Sequence, residues 1–218
     1  MDETRDAVRR VQAALPADAE ARFFEGAQYA SEFFMGDVDV VRALEKLSAA
    51  LDEAGIPYAI AGAMALNQYG YRRVTVDVDV LLTREGLAAF KAKYLGRGYV
   101  EKFPGSKGLR DTENGVTIDV LIAGDYPGDG LPKPVAFPDP GAVAIRGERT
   151  ALLPIEKLVE LKLASGISAP HRLKDLADVL ELIRAAKLPA DFGNRLEPYV
   201  RSKFDELWRA AQSADGDE

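Results

Sequence analysis

The sequence predicts a mixed α/β fold, with a mixed, mostly antiparallel sheet flanked by helices and a helical C-terminal part. Three observations lead there. Between Asp39 and Ile122, patterns alternate as helix, strand, helix, strand, helix, and then give way to a run of short strands. Turn signals at Pro104-Gly105 and Asn114-Gly115 make those last strands antiparallel neighbours, the Asn-Gly pair being a strong hairpin signal. After Pro154 the texture changes to three successive helical patterns with no strand between them.

Residues 2–15 carry a weakly amphipathic helical pattern that ends before Pro16, and the pairs Phe23-Phe24 and Phe33-Phe34 suit a segment that packs back onto the body. An N-terminal helical extension over residues 1–35 is expected. Val40, Val41, Leu44, Leu47 and Leu51 then recur at helical spacing, and Gly55 and Pro57 stop that helix. Tyr58–Ala61 reads as a short buried strand, Gly62 as a turn into a helix over Met64–Tyr69, and Thr75–Leu82 as a second strand. Thr83 is placed as an N-cap with Gly86 at the third helical position, for a helix running to about Tyr94.

Val100–Phe103, Leu109–Thr112 and Val116–Ile122 are the following strands. Residues 124–140 hold five prolines from Pro127 to Pro140 and predict an ordered loop, with Ala142–Arg146 as a last edge strand. Helices are expected over Ile155–Ser165, His171–Ala186 and, less regularly, about Pro189–Ala211, before a disordered tail at 213–218. The organisation is therefore an α/β domain over 36–150 and a helical part over 151–212.

Composition narrows the chemistry. The chain of 218 residues is 47% hydrophobic and 29% charged, as in ordinary globular proteins. No apolar run approaches the roughly 18–20 residues that cross a bilayer, and the acidic start MDETRDAVRR is unlike a signal peptide, so a cytoplasmic protein without membrane partners is expected. Zero cysteines exclude disulfides and thiolate chemistry, and the single histidine, His171, excludes any site needing two imidazoles. Chemistry must run on carboxylates, amines, guanidinium groups, hydroxyls and backbone, a set that suits a hard ion such as Mg²⁺. The net charge of −7 argues against a broad nucleic-acid footprint, although Arg72-Arg73, Lys102 with Lys107 and Arg110, and Lys162 with Arg172 and Lys174 form local basic clusters.

Strand alternation puts Thr75, Asp77 and Asp79 on one face of the Thr75–Leu82 strand. Carboxylates about 7 Å apart repel by roughly 2 kcal/mol at an effective dielectric near 20, unless a cation sits between them. The tetrapeptide alone is weak: DVDV also occurs at Asp37–Val40, where it supplies helix caps. Its surroundings discriminate. An EF-hand is excluded at Asp77, because Leu81 and Leu82 stand where an oxygen ligand and a glycine are needed. Before it, Ala61-Gly62-Ala63 makes a strand-to-helix junction able to offer backbone N–H groups to an anion. After it, Asp119 stands in the apolar strand VTIDVLI, where a carboxylate is costly unless paired or bound to metal.

The Gly62 turn, a short helix, Asp77-x-Asp79 on a strand and Asp119 on a later strand together resemble the DNA polymerase β-like nucleotidyltransferase superfamily. The string Arg73-Val-Thr75-Val-Asp77-Val-Asp79 is similar to its abortive-infection, AbiEii-type toxin branch and small bacterial relatives, as is the Lys162…Arg172-x-Lys174-Asp175-x-x-Asp178 helical signature. The likeness covers about residues 56–185. It implies an Mg²⁺-dependent enzyme moving a nucleoside monophosphate from an NTP to a hydroxyl on RNA (especially a tRNA 3′ end), a protein or a small molecule. Asp77 and Asp79 would hold two divalent ions, with Asp119 completing one site and helping to deprotonate the acceptor. Gly62 and Ala63 would cradle phosphates, Lys162 would reach the triphosphate, Asp175 would fill a later acidic position, and Arg73 and Lys174 would contact phosphate or acceptor. An antitoxin-like protein partner is a further implication. One departure stands out: the second turn position, usually Gly or Ser in the family, is Ala63, which lacks a hydroxyl and motivates the alternative of a degenerate, binding-only module.

Overall fold

The computed structural model describes residues 39–213. The expectations for the N-terminal extension and for the tail beyond Ser213 lie outside them. Helix α1 (Val40–Glu53) opens the described chain, its N-cap Asp39 accepting a hydrogen bond from the Arg42 N–H as the DVDV copy there implies. Strand β1 (Ala59–Ile60), helix α2 (Gly62–Gln68), strand β2 (Asp77–Leu82) and helix α3 (Arg84–Tyr94) follow, and the Thr83 hydroxyl accepts from the Gly86 N–H to start α3. Strands β3 (Tyr99–Glu101), β4 (Leu109–Asp111) and β5 (Thr117–Ile122) form a meander, a short helix α4 (Pro140–Val143) leads to β6 (Ile145–Arg146) and β7 (Ala151–Leu152), and helices α5 (Ile155–Ser168), α6 (Leu173–Ala185) and α7 (Pro198–Ser213) end it.

The seven strands make one mixed sheet in the order β3-β4-β5-β2-β1-β7-β6. Four of the six strand pairings are antiparallel, and β2 with β5 and β1 with β7 are parallel. Strand β2 therefore lies in the middle of the sheet.

Alternation along β2 and β5 decides which layer each residue faces. Val78, Val80 and Leu82, with Ile118, Val120 and Ile122, join α1 and α3 in one core. Leu81 joins a second core built with α2, α5, α6 and α7 on the opposite face. Residues of the same parity as Leu81, namely Asp77 and Asp79, share that second face, and Asp119 does so on β5 beside Leu121. The helical C-terminal part thus covers the face that carries the aspartates.

Two local expectations need correction. Ladder pairing begins at Asp77, opposite Thr117, so Thr75 and Val76 precede the strand and Val76 is half exposed. Ala142 and Val143 belong to a helical turn, because Asp139 caps it by accepting from Gly141 N–H and Pro140 sits in its first turn; only Ile145–Arg146 forms the edge strand. Strand β7 had no signal of its own, two residues being too short for a period. No helix among the described residues is long and apolar enough to cross a membrane.

Candidate active site

Gly62 fixes the geometry. Its φ of +60° lies in the left-handed region, and a Cβ built on it would lie 1.7 Å from the Asp79 Oδ2. The Ala61 N–H donates to the Asp79 carbonyl at 2.9 Å, so the end of β1 is clamped to β2 just where the chain turns into α2. No side chain caps α2, and its first residues, Gly62 and Ala63, line a cleft of about 430 Å³. Ala63 is itself buried, its methyl group packed away from water.

The cleft is shared by residues far apart in sequence. Asp77, Asp79, Arg73, Lys162, Lys174 and Asp175 line it with Gly62 and Ala63, against apolar walls from Leu121, Phe137, Leu153 and Leu158. Asp119 is not among the lining residues. It stands directly across the ladder from Asp79 on β5, and its carboxylate accepts from Lys102 Nζ at 3.0 Å. Asp77 is held by the Thr75 hydroxyl, which donates to its carboxylate.

Burial pushes the Asp79 carboxyl up to about 6, and the charges of Asp77 and Asp119 add to the rise, while Lys162 and Arg73 oppose it. Asp79 therefore feels the charges of both neighbouring strand carboxylates. In donor chemistry, an all-oxygen set of this kind fits a hard divalent cation. Among the described residues, however, no three carboxylate or imidazole groups are gathered around one point, since Asp119 is turned to Lys102 and Asp77 to Thr75.

The cationic side is more tightly built than a solvent-facing Lys162 would be. Lys162 is 9% exposed and donates to Asp178 at 2.7 Å and to Asp175 at 3.1 Å. Arg73 Nη1 donates to the same Asp178 oxygen at 2.6 Å, and Ser165 Oγ donates to Asp175 at 2.6 Å. Burial alone would raise the Asp175 carboxyl, but Lys162 and the Ser165 hydroxyl overcome it and hold that carboxyl below its ordinary value. Arg172 reaches Asp175 at 3.5 Å, so both helical aspartates are paired, Asp178 with cations from outside its own helix. His171 is exposed at the cleft mouth, as is Lys174.

Two supporting residues carried no sequence signal that singled them out. Asn67, 2% exposed, accepts from Arg73 N–H at 2.6 Å and donates to Arg73 carbonyl at 3.1 Å, and so pins the connector that delivers Arg73. A buried amide in a short apolar helix was the available hint. Gly166 lets α5 approach α6: a Cβ there would meet Leu176 Cγ and Cδ2 at 2.5 Å. Gly166→Ala should push these helices apart, lower stability by about 1–3 kcal/mol in urea denaturation, and loosen the Lys162 and Ser165 contacts to α6.

No protein-family model matches the chain, and no curated protein matches it. Among the solved structures similar to it are two of one protein. One is ANT(2")-Ia in complex with adenylyl-2"-tobramycin, at 17% identity and a TM-score of 0.48, covering 80% of this chain and 97% of that one. The other is the solution structure of the antibiotic-resistance factor ANT(2'')-Ia, at 17% identity and a TM-score of 0.42, covering 81% and 94%. Likenesses of this strength do not bear on activity, and what the cleft can do rests on its own residues.

Proposed function

We propose that the chain is an Mg²⁺-dependent nucleotidyltransferase that moves a nucleoside monophosphate from an NTP to a hydroxyl acceptor. The observation that carries this reading is the Gly62–Asp79 contact: a chain turn offering uncapped N–H groups lies against a half-buried, charge-crowded carboxylate, with Asp77 in the same cleft. In the reaction, an acceptor oxygen attacks the α-phosphorus and a new P–O bond forms. The bond from that phosphorus to the bridging α–β oxygen breaks, and pyrophosphate leaves with the electron pair. The acceptor proton passes to a carboxylate, for which Asp119 is the candidate once it parts from Lys102. Asp77, Asp79 and Asp119 would hold divalent metal, which supplies charge neutralisation for the attacking and leaving oxygens.

The N–H groups of Gly62 and Ala63 would receive phosphate oxygens, and backbone donation needs no side chain at position 63. Arg73, Lys162 and Lys174 bring positive charge to the triphosphate, and the walls formed by Phe137, Leu153 and Leu158 offer apolar surface to the base. The acceptor belongs to one of three classes, an RNA end, a protein hydroxyl or a small molecule, to be chosen by assay. A toxin-like role follows only if RNA is modified.

A binding-only module is the second reading, and the absence of a gathered three-carboxylate cluster among the described residues favours it. Calorimetry separates the two. The enzyme reading expects NTP binding that strengthens with Mg²⁺ and weakens in Asp77→Ala/Asp119→Ala. Binding that ignores both the metal and the substitutions would establish the module instead.

A further inference from the structure

Asp178 is absent from the cleft wall, yet it contacts two cations that line it. It sits on α6 with its side chain 3% exposed, beside the buried apolar positions Val179 and Leu182. A lone carboxylate there would be strongly destabilising, and it is tolerated because one of its oxygens, Oδ2, accepts from both Lys162 Nζ at 2.7 Å and Arg73 Nη1 at 2.6 Å. Those cations arrive from unrelated elements, Lys162 from α5 and Arg73 from the connector before β2. A single buried oxygen thus fixes the position of one relative to the other.

Long cationic side chains lose several rotamers when held, and unheld they would spread their charge over the cleft. Here that ordering is completed before any ligand arrives: Asn67 pins the Arg73 backbone, Asp178 pins its guanidinium, and Asp178 with Asp175 pins the Lys162 ammonium. We infer that Asp178 is a positioning residue, which holds Arg73 and Lys162 from behind the cleft so that both point at the phosphates of a bound nucleoside triphosphate. The inference rests on the nucleotidyltransferase reading of the cleft. It adds that Asp178 sets the rate of transfer and not the affinity for nucleotide. Its negative charge opposes anion binding, so its removal makes the cleft more cationic while releasing the two donors from their fixed geometry.

The test is Asp178→Asn, with Asp178→Glu as a second variant that keeps the charge and displaces the oxygens. Transfer from each labelled NTP is measured in steady state, and the Lys162 ammonium and Arg73 guanidinium signals are followed by ¹⁵N NMR in the ligand-free protein. Both variants should lower kcat about 10- to 100-fold, as small misplacements of positioning groups do, and Asp178→Asn should leave KM for NTP unchanged or lower. Slowly exchanging side-chain signals are expected for the wild type and should broaden in the variants. In a Lys162→Met background, adding Asp178→Asn should cost less than it does alone, because the two residues act as one unit.

Unchanged kcat in both variants would overturn the inference. A rise in KM at constant kcat, or losses that simply track the folded fraction, would overturn it as well. If the wild type transfers no nucleotide, the nucleotidyltransferase reading fails separately. The NMR spectra then still decide the positioning claim: undisturbed Lys162 and Arg73 signals in Asp178→Asn refute it, and broadened ones sustain it.

Discussion

Asp79→Asn is expected to abolish nucleotidyl transfer and at the same time to stabilise the fold. Loss of a carboxylate that would hold the metal facing the reacting phosphates removes several kcal/mol of transition-state stabilisation, a fall of about 10³-fold or more. The gain in stability comes from the raised ionisation point. Asp79 titrates at about 6 when folded against 3.8 for an unperturbed carboxyl. Folding therefore favours the protonated form, so the ionised carboxylate opposes folding. That opposition is absent below about pH 4, grows as pH rises toward 6, and is complete above it.

At about 1.4 kcal/mol per pKa unit, the full effect is about 2–3 kcal/mol, so Asp79→Asn should be more stable than wild type by an amount of that order at pH 8 and by little at pH 4. Urea denaturation at the two pH values measures it. Asp111 and Asp175 are held below the ordinary carboxylate range, so their stabilisation is present at neutral pH and fades in acid; both proteins share it, and it cancels in the difference. Adding Mg²⁺ should narrow the gap at pH 8 by stabilising the wild type alone. A variant less stable than wild type at pH 8 would show that Asp79 is a structural residue.

Gly62→Ala is the second large effect. The added methyl would stand 1.7 Å from Asp79 Oδ2 and within 3 Å of its Cγ and Cβ, and the residue would have to keep φ near +60°. The left-handed conformation costs a residue with a Cβ about 1–2 kcal/mol, and overpacking a close contact costs about 1–3 kcal/mol more. A loss of about 2–5 kcal/mol in denaturation is expected, together with loss of transfer, since Asp79 must move to relieve the clash. Gly55, also at positive φ, has open space where a Cβ would go. Gly55→Ala should lose only the conformational part and leave transfer intact, which separates steric blockade of the cleft from backbone strain.

Much of the cleft was legible in the sequence because it depends on local rules. Alternation along a strand put Asp77 and Asp79 on one face, and a glycine between an apolar strand and a short helix announced the turn beside them. Thr83 and Asp39 declared their helices through capping chemistry that acts over three residues. Legibility ended where placement depends on contacts distant in sequence. Lys162 had a role only through the family resemblance, because helical spacing cannot reveal that α6 carries two carboxylates to it across the Gly166 contact. Asp178 stood in the sequence only as the last residue of a helical signature, and its partners come from α5 and the β2 connector. The helical turn at Pro140 was missed for another reason, the Asp139-Pro140-Gly141 start signal being hidden in a Pro-rich loop.

The most direct test of the account follows the label from NTPs carrying ³²P at the α- or at the γ-position, in Mg²⁺, with RNA, protein lysate and small polyhydroxy amines as acceptors. The account predicts α-label on the acceptor, γ-label in released pyrophosphate, and neither in Asp79→Asn. Transfer of γ-label to an acceptor, or α-label transfer that persists in Asp79→Asn, would contradict it.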